Sequence, residues 1–351
     1  MRKWWLLIVV MVLVFTLAAC QSSEKTSEED GITNSSVTVV EKDEELENAK
    51  AMFQPLGELV IPTDNEMTEE KIELGKQLYF DPRLSGDNKQ SCMSCHSPGA
   101  GYGDGLKTFS GFQGHVGSRN SPTIINAAYY KEYFWDGRAG SLEEQALGPI
   151  QSEVEMNQDL IELVEELNAV PQYVEDFQSV FEDKISAENI AKAIAAFERT
   201  LTISDTAFDR YLAGDDDAIS ADAKEGMKLF VGKASCITCH AGPALSDGLY
   251  HNLGAEGDEG RLAVTDDEAD LGAFRTPQLR GLEHTAPYMH DGSLATIEDV
   301  VDYYNEGGGT HTNKSALIKE LNLTEKESKQ LVEFLKSMSG DSPVVEAPTI
   351  Y

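Results

Sequence analysis

Basic side chains are what this chain has least of for its size. Its 28 Lys and Arg stand against 61 Asp and Glu, giving a formal net charge of −33 over 351 residues. Such a surface repels nucleic acid and anionic lipid and steers a basic partner protein toward itself. The same acidity also serves to keep a chain soluble, and composition alone does not choose between the two roles. Long apolar runs are missing as well. The N-terminal one, Leu6 to Phe15, is too short to span a bilayer comfortably. Cysteine is scarce: of five, four fall in two short motifs and the fifth, Cys20, ends the apolar N-terminus, so none is left over for a disulfide framework. No alternation of strand and helix patterns surrounds either motif, which removes the thioredoxin-like reading of a Cys-x-x-Cys dithiol.

What is present is a pair of pentapeptides, Cys92-Met93-Ser94-Cys95-His96 and Cys236-Ile237-Thr238-Cys239-His240. Their spacing lets two thiols add across the vinyl groups of one haem while the adjacent imidazole turns back to the iron. Half a zinc site would not need His immediately after the second Cys in both copies. The motifs therefore predict two covalent haems of the c type, attached at Cys92, Cys95, Cys236 and Cys239, with His96 and His240 as iron ligands.

An internal repeat frames them. Gly75-Lys76-Gln77-Leu78-Tyr79 precedes the first motif and Gly226-Met227-Lys228-Leu229-Phe230 the second; Asp104-Gly105 and Asp247-Gly248 follow at matching places. Apolar residues three and four apart predict helices over Glu69 to Tyr79, Asp159 to Leu167, Ala187 to Leu201 and Ala221 to Phe230. Thr324 and Glu327 form a capping box that opens a last helix through Leu335 and Met338. The expected fold is mainly α, two cytochrome c-like domains in tandem with long Gly-rich loops. Its boundaries are 51–205 and 206–343, followed by a tail, 344–351. Ahead of them Arg2 and Lys3, the apolar run and Leu17-Ala18-Ala19-Cys20 make a signal peptide over 1–20 that resembles a lipobox. A polar, acidic stretch over 21–50 reads as a disordered leash from a lipid-modified Cys20. The mature domain is then exported and touches the membrane only through that lipid.

Several loop motifs carry a resemblance. Asn120-Ser121-Pro122-Thr123, Phe134-Trp135-Asp136-Gly137-Arg138, Glu144-Gln145-Ala146-x-x-Pro149 and Val154-Glu155-Met156-Asn157 follow the first pentapeptide; Phe274-Arg275-Thr276-Pro277 and Thr285-Ala286-Pro287-Tyr288-Met289-His290-Asp291-Gly292 follow the second. From about Gly57 to Pro343 the chain resembles the bacterial di-haem cytochrome c peroxidase family, which includes MauG-type enzymes. The resemblance implies that Glu155 is the acid/base carboxylate and Gln145 the pocket amide beside the first haem, with Pro149 in the pocket wall unless it merely ends a helix. It implies that Trp135 sits between the haems, and that Asn120, Thr285 and Pro287 bind an inter-domain calcium. Arg275 and His290 belong to motifs around the second haem and are expected to contact its propionates. His251, His284 and His311 gain no role beyond surface or propionate contacts.

Two positions depart from the family pattern. Phe112 stands where members with an inducible site carry a sixth-ligand His, and His115 follows three residues later, read here as an exposed loop residue. Tyr304 stands where Met usually ligates the second iron; a phenolate lowers the potential that a thioether raises, and Met289 aligns elsewhere. The implied activity is reduction of hydrogen peroxide at the first haem with electrons that a small donor, a cytochrome c or a cupredoxin, delivers to the second. A MauG-type oxidase that modifies a partner protein is the alternative within enzymes, and a di-haem electron-transfer cytochrome the alternative outside them. A homodimer is left open.

Overall fold

The computed structural model describes residues 43–351, which form one compact unit. The signal peptide, Cys20 and most of the expected leash lie outside the described residues. Helices dominate: α1 (Glu44–Lys50), α2 (Glu69–Phe80), α3 (Cys92–Cys95), α4 (Leu142–Gln151), α5 (Leu160–Asn168), α6 (Pro171–Phe181) and α7 (Ala187–Glu198) are followed by α8 (Ala207–Leu212), α9 (Ala221–Val231), α10 (Leu262–Thr265), α11 (Ile297–Asn305) and α12 (Glu325–Ser337). Among the described residues one two-stranded ladder pairs β1 (Tyr250–His251) with β2 (Phe274–Arg275). Among the described residues no helix is long and apolar enough to cross a membrane.

The caps explain most of the helix starts. Side-chain oxygens of Thr68, Asp159, Ser186, Ser220 and Thr324 accept backbone N–H groups of the first turns of α2, α5, α7, α9 and α12. The expected reach of α7 to Leu201 is three residues too long. Thr200 and Leu201 donate to carbonyls three residues back, Phe197 and Glu198, and this tightening ends the helix at Glu198. Pro149 does not end α4, which runs on to Gln151.

The sequence repeat becomes a repeated helix crossing. In the first half α2 packs against α7, and in the second α9 packs against α12. A Cβ on Gly75 would lie 1.9 Å from the Ala193 carbonyl oxygen, and one on Gly226 would lie 2.0 Å from that of Gln330. The shared glycine is thus the point where two helix backbones come together, and no side chain fits there.

The chain ends cross between halves. Residues 44–50, expected within the leash, instead form α1, and Ala49 and Phe53 enter the core of the second half beside Phe208, Phe230 and Phe334. The 344–351 tail is not loose: Val345 and Ile350 pack on the first half's core, and the Tyr351 ring lies 4.9 Å from that of Tyr173. Apolar burial accounts for both departures, since each segment carries the few large side chains its polar neighbours lack.

Candidate active site: the cavity at the first pentapeptide

Both pentapeptides fold the same way. His96 and His240 donate backbone N–H groups to the Cys92 and Cys236 carbonyls at 2.9 Å, which closes each motif into a single turn. The imidazole Nδ1 atoms then sit 3.1 Å from the Tyr102 carbonyl oxygen and 3.0 Å from that of Leu245. Such a bond fixes the tautomer and leaves Nε2 free as a ligand atom. Tyr102 and Leu245 both take up a left-handed backbone, φ +57° and +52°, that neither side chain favours. Burial pushes both imidazoles below the usual histidine range, which keeps them neutral. The hydroxyl of Tyr79, from the repeat motif, donates to the His96 carbonyl. None of the four motif cysteines is in a disulfide.

Beside the first motif lies a cavity of about 520 Å³, within the usual size for a cofactor site. Leu142, Gln145, Ala146 and Pro149 line it from positions i, i+3, i+4 and i+7 of α4, a single helical face. Cys92, Cys95 and His96 form one wall; Glu155, Trp135 and Asn120 form others. The donor set fits a haem held covalently by two thiols and axially by one nitrogen, in an enclosure with apolar walls and two carboxyls.

The carboxyl of Glu155 is raised above the ordinary glutamate range by burial, with Arg138 and a bond to Ser152 pulling the other way. His115 is exposed and stands in the cavity wall, whereas Phe112 does not line it. Trp135 donates Nε1–H to the Asn120 carbonyl at 2.9 Å, and its backbone carbonyl accepts the Arg275 N–H at 2.8 Å, so the residue is tied to both halves, the indole to the first and the backbone to the second. Arg275 departs from expectation. Its guanidinium lines the first cavity although β2 belongs to the second half, because that backbone bond carries β2 across the interface. It is only 6% exposed, stacks 3.6 Å over the Tyr130 ring, and takes backbone carbonyls rather than a carboxylate as acceptors.

The same interface holds a feature that sequence reasoning missed. Arg119 bonds Asp258 in a two-pronged contact at 2.7 Å and Asp136 at 2.6 Å, and Arg138 shares Asp136. Only its place next to Asn120 hinted at it. His290 stacks on Phe274 at 3.7 Å, stands edge-on to Trp135 at 6.5 Å, and accepts the Asn120 N–H at 2.7 Å through its carbonyl, bringing the Thr285–Pro287 loop against the first half. Asn120 gives its side-chain N–H to the Leu106 carbonyl at 2.8 Å, so its amide oxygen is turned away from that bond.

At the second motif Tyr304 occupies the last turn of α11, close enough to Cys236 and Cys239 for them to act on its phenol, which burial pushes well above the usual tyrosine range. His251 pairs with Asp247 at 3.0 Å, His284 meets the Gly340 carbonyl, and His311 bonds Asn252 and Asn313.

Comparison with known proteins bears on this arrangement. Residues 69–217 match the family model described as di-haem cytochrome c peroxidase, and residues 223–339 that described as cytochrome c. The chain is 42% identical over 334 residues to the cytochrome-c peroxidase IdrP1 of Denitromonas iodatirespirans, covering 84% of this chain and 89% of that protein. It is 39% identical to the methylamine utilization protein MauG of Methylorubrum extorquens, over 88% of this chain and 89% of the other. A solved MauG-like protein associated with microbial copper homeostasis superimposes with a TM-score of 0.75 at 32% identity, over 82% of this chain and 93% of its own. The diheme peroxidase BthA of Burkholderia thailandensis, at 19% identity and a TM-score of 0.70 over 85% and 94%, shares the fold.

Proposed function

The chain belongs to the bacterial di-haem cytochrome c peroxidase family, as a peroxidase-type oxidoreductase with two haem c, and we propose that it reduces hydrogen peroxide to two waters with two electrons from a small external redox protein. The observation that carries this reading is that one cavity brings together the neutral His96 imidazole, the Gln145 amide and the Glu155 carboxyl whose proton affinity burial has raised. Haem iron, when bound through His96, supplies the electrons that break the O–O bond. Glu155 takes the proton from the near oxygen of peroxide and returns it to the far one, which leaves as water; two protons from solvent and the two donor electrons complete the other water. Gln145 orients the peroxide. Trp135, held by Asn120 and Arg275, is the route for electrons from the second half, where His240 and Tyr304 hold the other iron. Arg275, a buried cation with no carboxylate acceptor, supports a contact with a haem propionate.

Asn120, Thr285 and Pro287 suit a calcium ion in that their oxygens come from both halves and are hard and neutral, with water completing the shell. The N-terminal basic pair, apolar run and Cys20 support export and a lipid tether on the outer side of a membrane.

Tyr304 favours a second reading, that of a MauG-type oxidase acting on a partner protein, because a phenol there holds the second haem at low potential. Steady-state turnover of peroxide with reduced cytochrome c tests the first reading. Turnover without prior reduction of the enzyme is expected, and absence of turnover with any small donor would leave the second. Tyr304→Met is expected to raise the potential of the second haem and change its spectrum; an unchanged spectrum and potential would remove Tyr304 as its ligand and leave Met289 to be tested.

A further inference from the structure

Glu198 ends α7 in the wall of the first cavity, 95% buried by its relative exposure of 5%. Its Oε2 has no hydrogen-bond partner among the described residues. A charged or neutral polar atom left unpaired in the interior costs free energy, and a carboxyl so placed holds its proton more tightly than one in water. Its partners in the electrostatic sense come from every side. Arg199, the cap residue just past the end of α7, stabilises the anion; Glu143 on α4 disfavours it; and Tyr79 on α2, Tyr133 in the loop before α4 and Cys92 of the haem motif all feel its charge. Arg199 is engaged by Glu143 at 2.8 Å, so its help to Glu198 is divided. Nothing in the peroxide chemistry assigned to Glu155 needs this second acid. It lies toward Cys92, whereas Glu155 lies toward Cys95.

We propose that Glu198 is the redox-linked proton site of the first haem, taking up one proton from solvent when one electron enters that haem. The charge balances: the electron comes from the donor through the second half, the proton lands on Oε2, and no other group is oxidised or reduced. The added negative charge in a low-dielectric cavity raises the proton affinity of a carboxyl in its wall, and by linkage the proton raises the affinity for the electron. The burial of Glu198, which already pushes its pKa up to about 8, sets the window just alkaline of neutrality. The consequence for catalysis is that the first haem receives an electron without leaving an uncompensated charge in a dry site. The inference rests on the first cavity holding its haem.

The experiment is a pH series of spectroelectrochemical titrations on the full-length di-haem protein, after counting covalent haems. In the parent the potential of the first haem is expected to fall with rising pH by close to tenfold in electron affinity per pH unit, about 59 mV for a one-electron couple. In Glu198→Gln the slope across that window is expected to vanish, while Glu155→Gln keeps it. A slope that survives Glu198→Gln, or a flat parent, would overturn the proposal. A merely structural Glu198 would move the melting point and leave the slope. Should Glu198→Gln fail to fold, reduced-minus-oxidised infrared spectra of the parent at about pH 8 decide: a protonated-carboxyl band gained on reduction, and kept in Glu155→Gln, supports it, and no such band sinks it. Fewer than two haems per chain would instead overturn the premise.

Discussion

A carboxyl can move a proton at neutral pH only if its surroundings lift its affinity, and the loop carrying Glu155 does so by burying the group against the cavity wall with Arg138 as the moderating cation. On the proposed mechanism Glu155 starts its cycle as a base, so activity requires the anion and is lost as pH falls through its pKa. Because that pKa is raised, the acid limb of the kcat/KM profile is expected above the ordinary glutamate value. Glu155→Gln is expected to keep both haems and their reduction by donor, to lose roughly 10²- to 10⁴-fold in peroxide turnover, and to lose the acid limb. Parental turnover in the amide variant would remove Glu155 from the proton path. This residue was identified in the sequence only through its motif; alone, next to Glu153, it reads as a solvated face.

Among elements, the two helix crossings were only half legible. Apolar periodicity located α2, α5, α7 and α9 because each buries one stripe, a capping box located α12, and the repeat placed Gly75 and Gly226 at equivalent points. What sequence could not reveal is that a Cβ at either glycine would run into a carbonyl oxygen of the facing helix, since a contact between α9 and α12 joins residues about a hundred positions apart. Tyr102 and Leu245 were hidden for a different reason. Their left-handed backbone is imposed by the turn that offers a carbonyl to the histidine of each pentapeptide, against their own preference, so no propensity announces it. The α4 face that lines the cavity was obscured by Pro149, which reads as a helix end. Gly226→Ala is expected to destabilise the second half by at least the 1–3 kcal/mol typical of overpacking, because the obstacle is backbone rather than a movable side chain. Calorimetry would show a lowered melting point, with Gly75→Ala doing the same to the first half. A melting point unchanged by either would mean that the helices part at little cost.

For the whole molecule, the central fact is how thoroughly two cytochrome-like halves are joined. The N-terminal segment packs on the second half, the tail on the first, and Arg119 bonds Asp136 in one half and Asp258 in the other. In a chain with so large an acidic excess, that guanidinium neutralises two carboxylates that would otherwise repel across the interface beside Trp135. Removing one member of a buried ion pair strands the other; with Arg119 still 19% exposed, Arg119→Met is expected to cost roughly 2–4 kcal/mol, at or below the range for fully buried pairs. Its effect on function follows from position. Asn120, the next residue, holds the Trp135 indole and donates its N–H to the His290 carbonyl, so loosening Arg119 should lengthen the path between the haems without touching either attachment motif. Rapid-mixing kinetics should then find electron entry to the second haem unchanged and transfer onward to the first slowed. Adding Asp258→Asn, which removes the stranded charge, should recover part of the lost stability but not the rate. Equal slowing of both steps would place the defect at the donor site, and unaltered kinetics in a destabilised variant would make the Arg119 bridge a purely structural clamp.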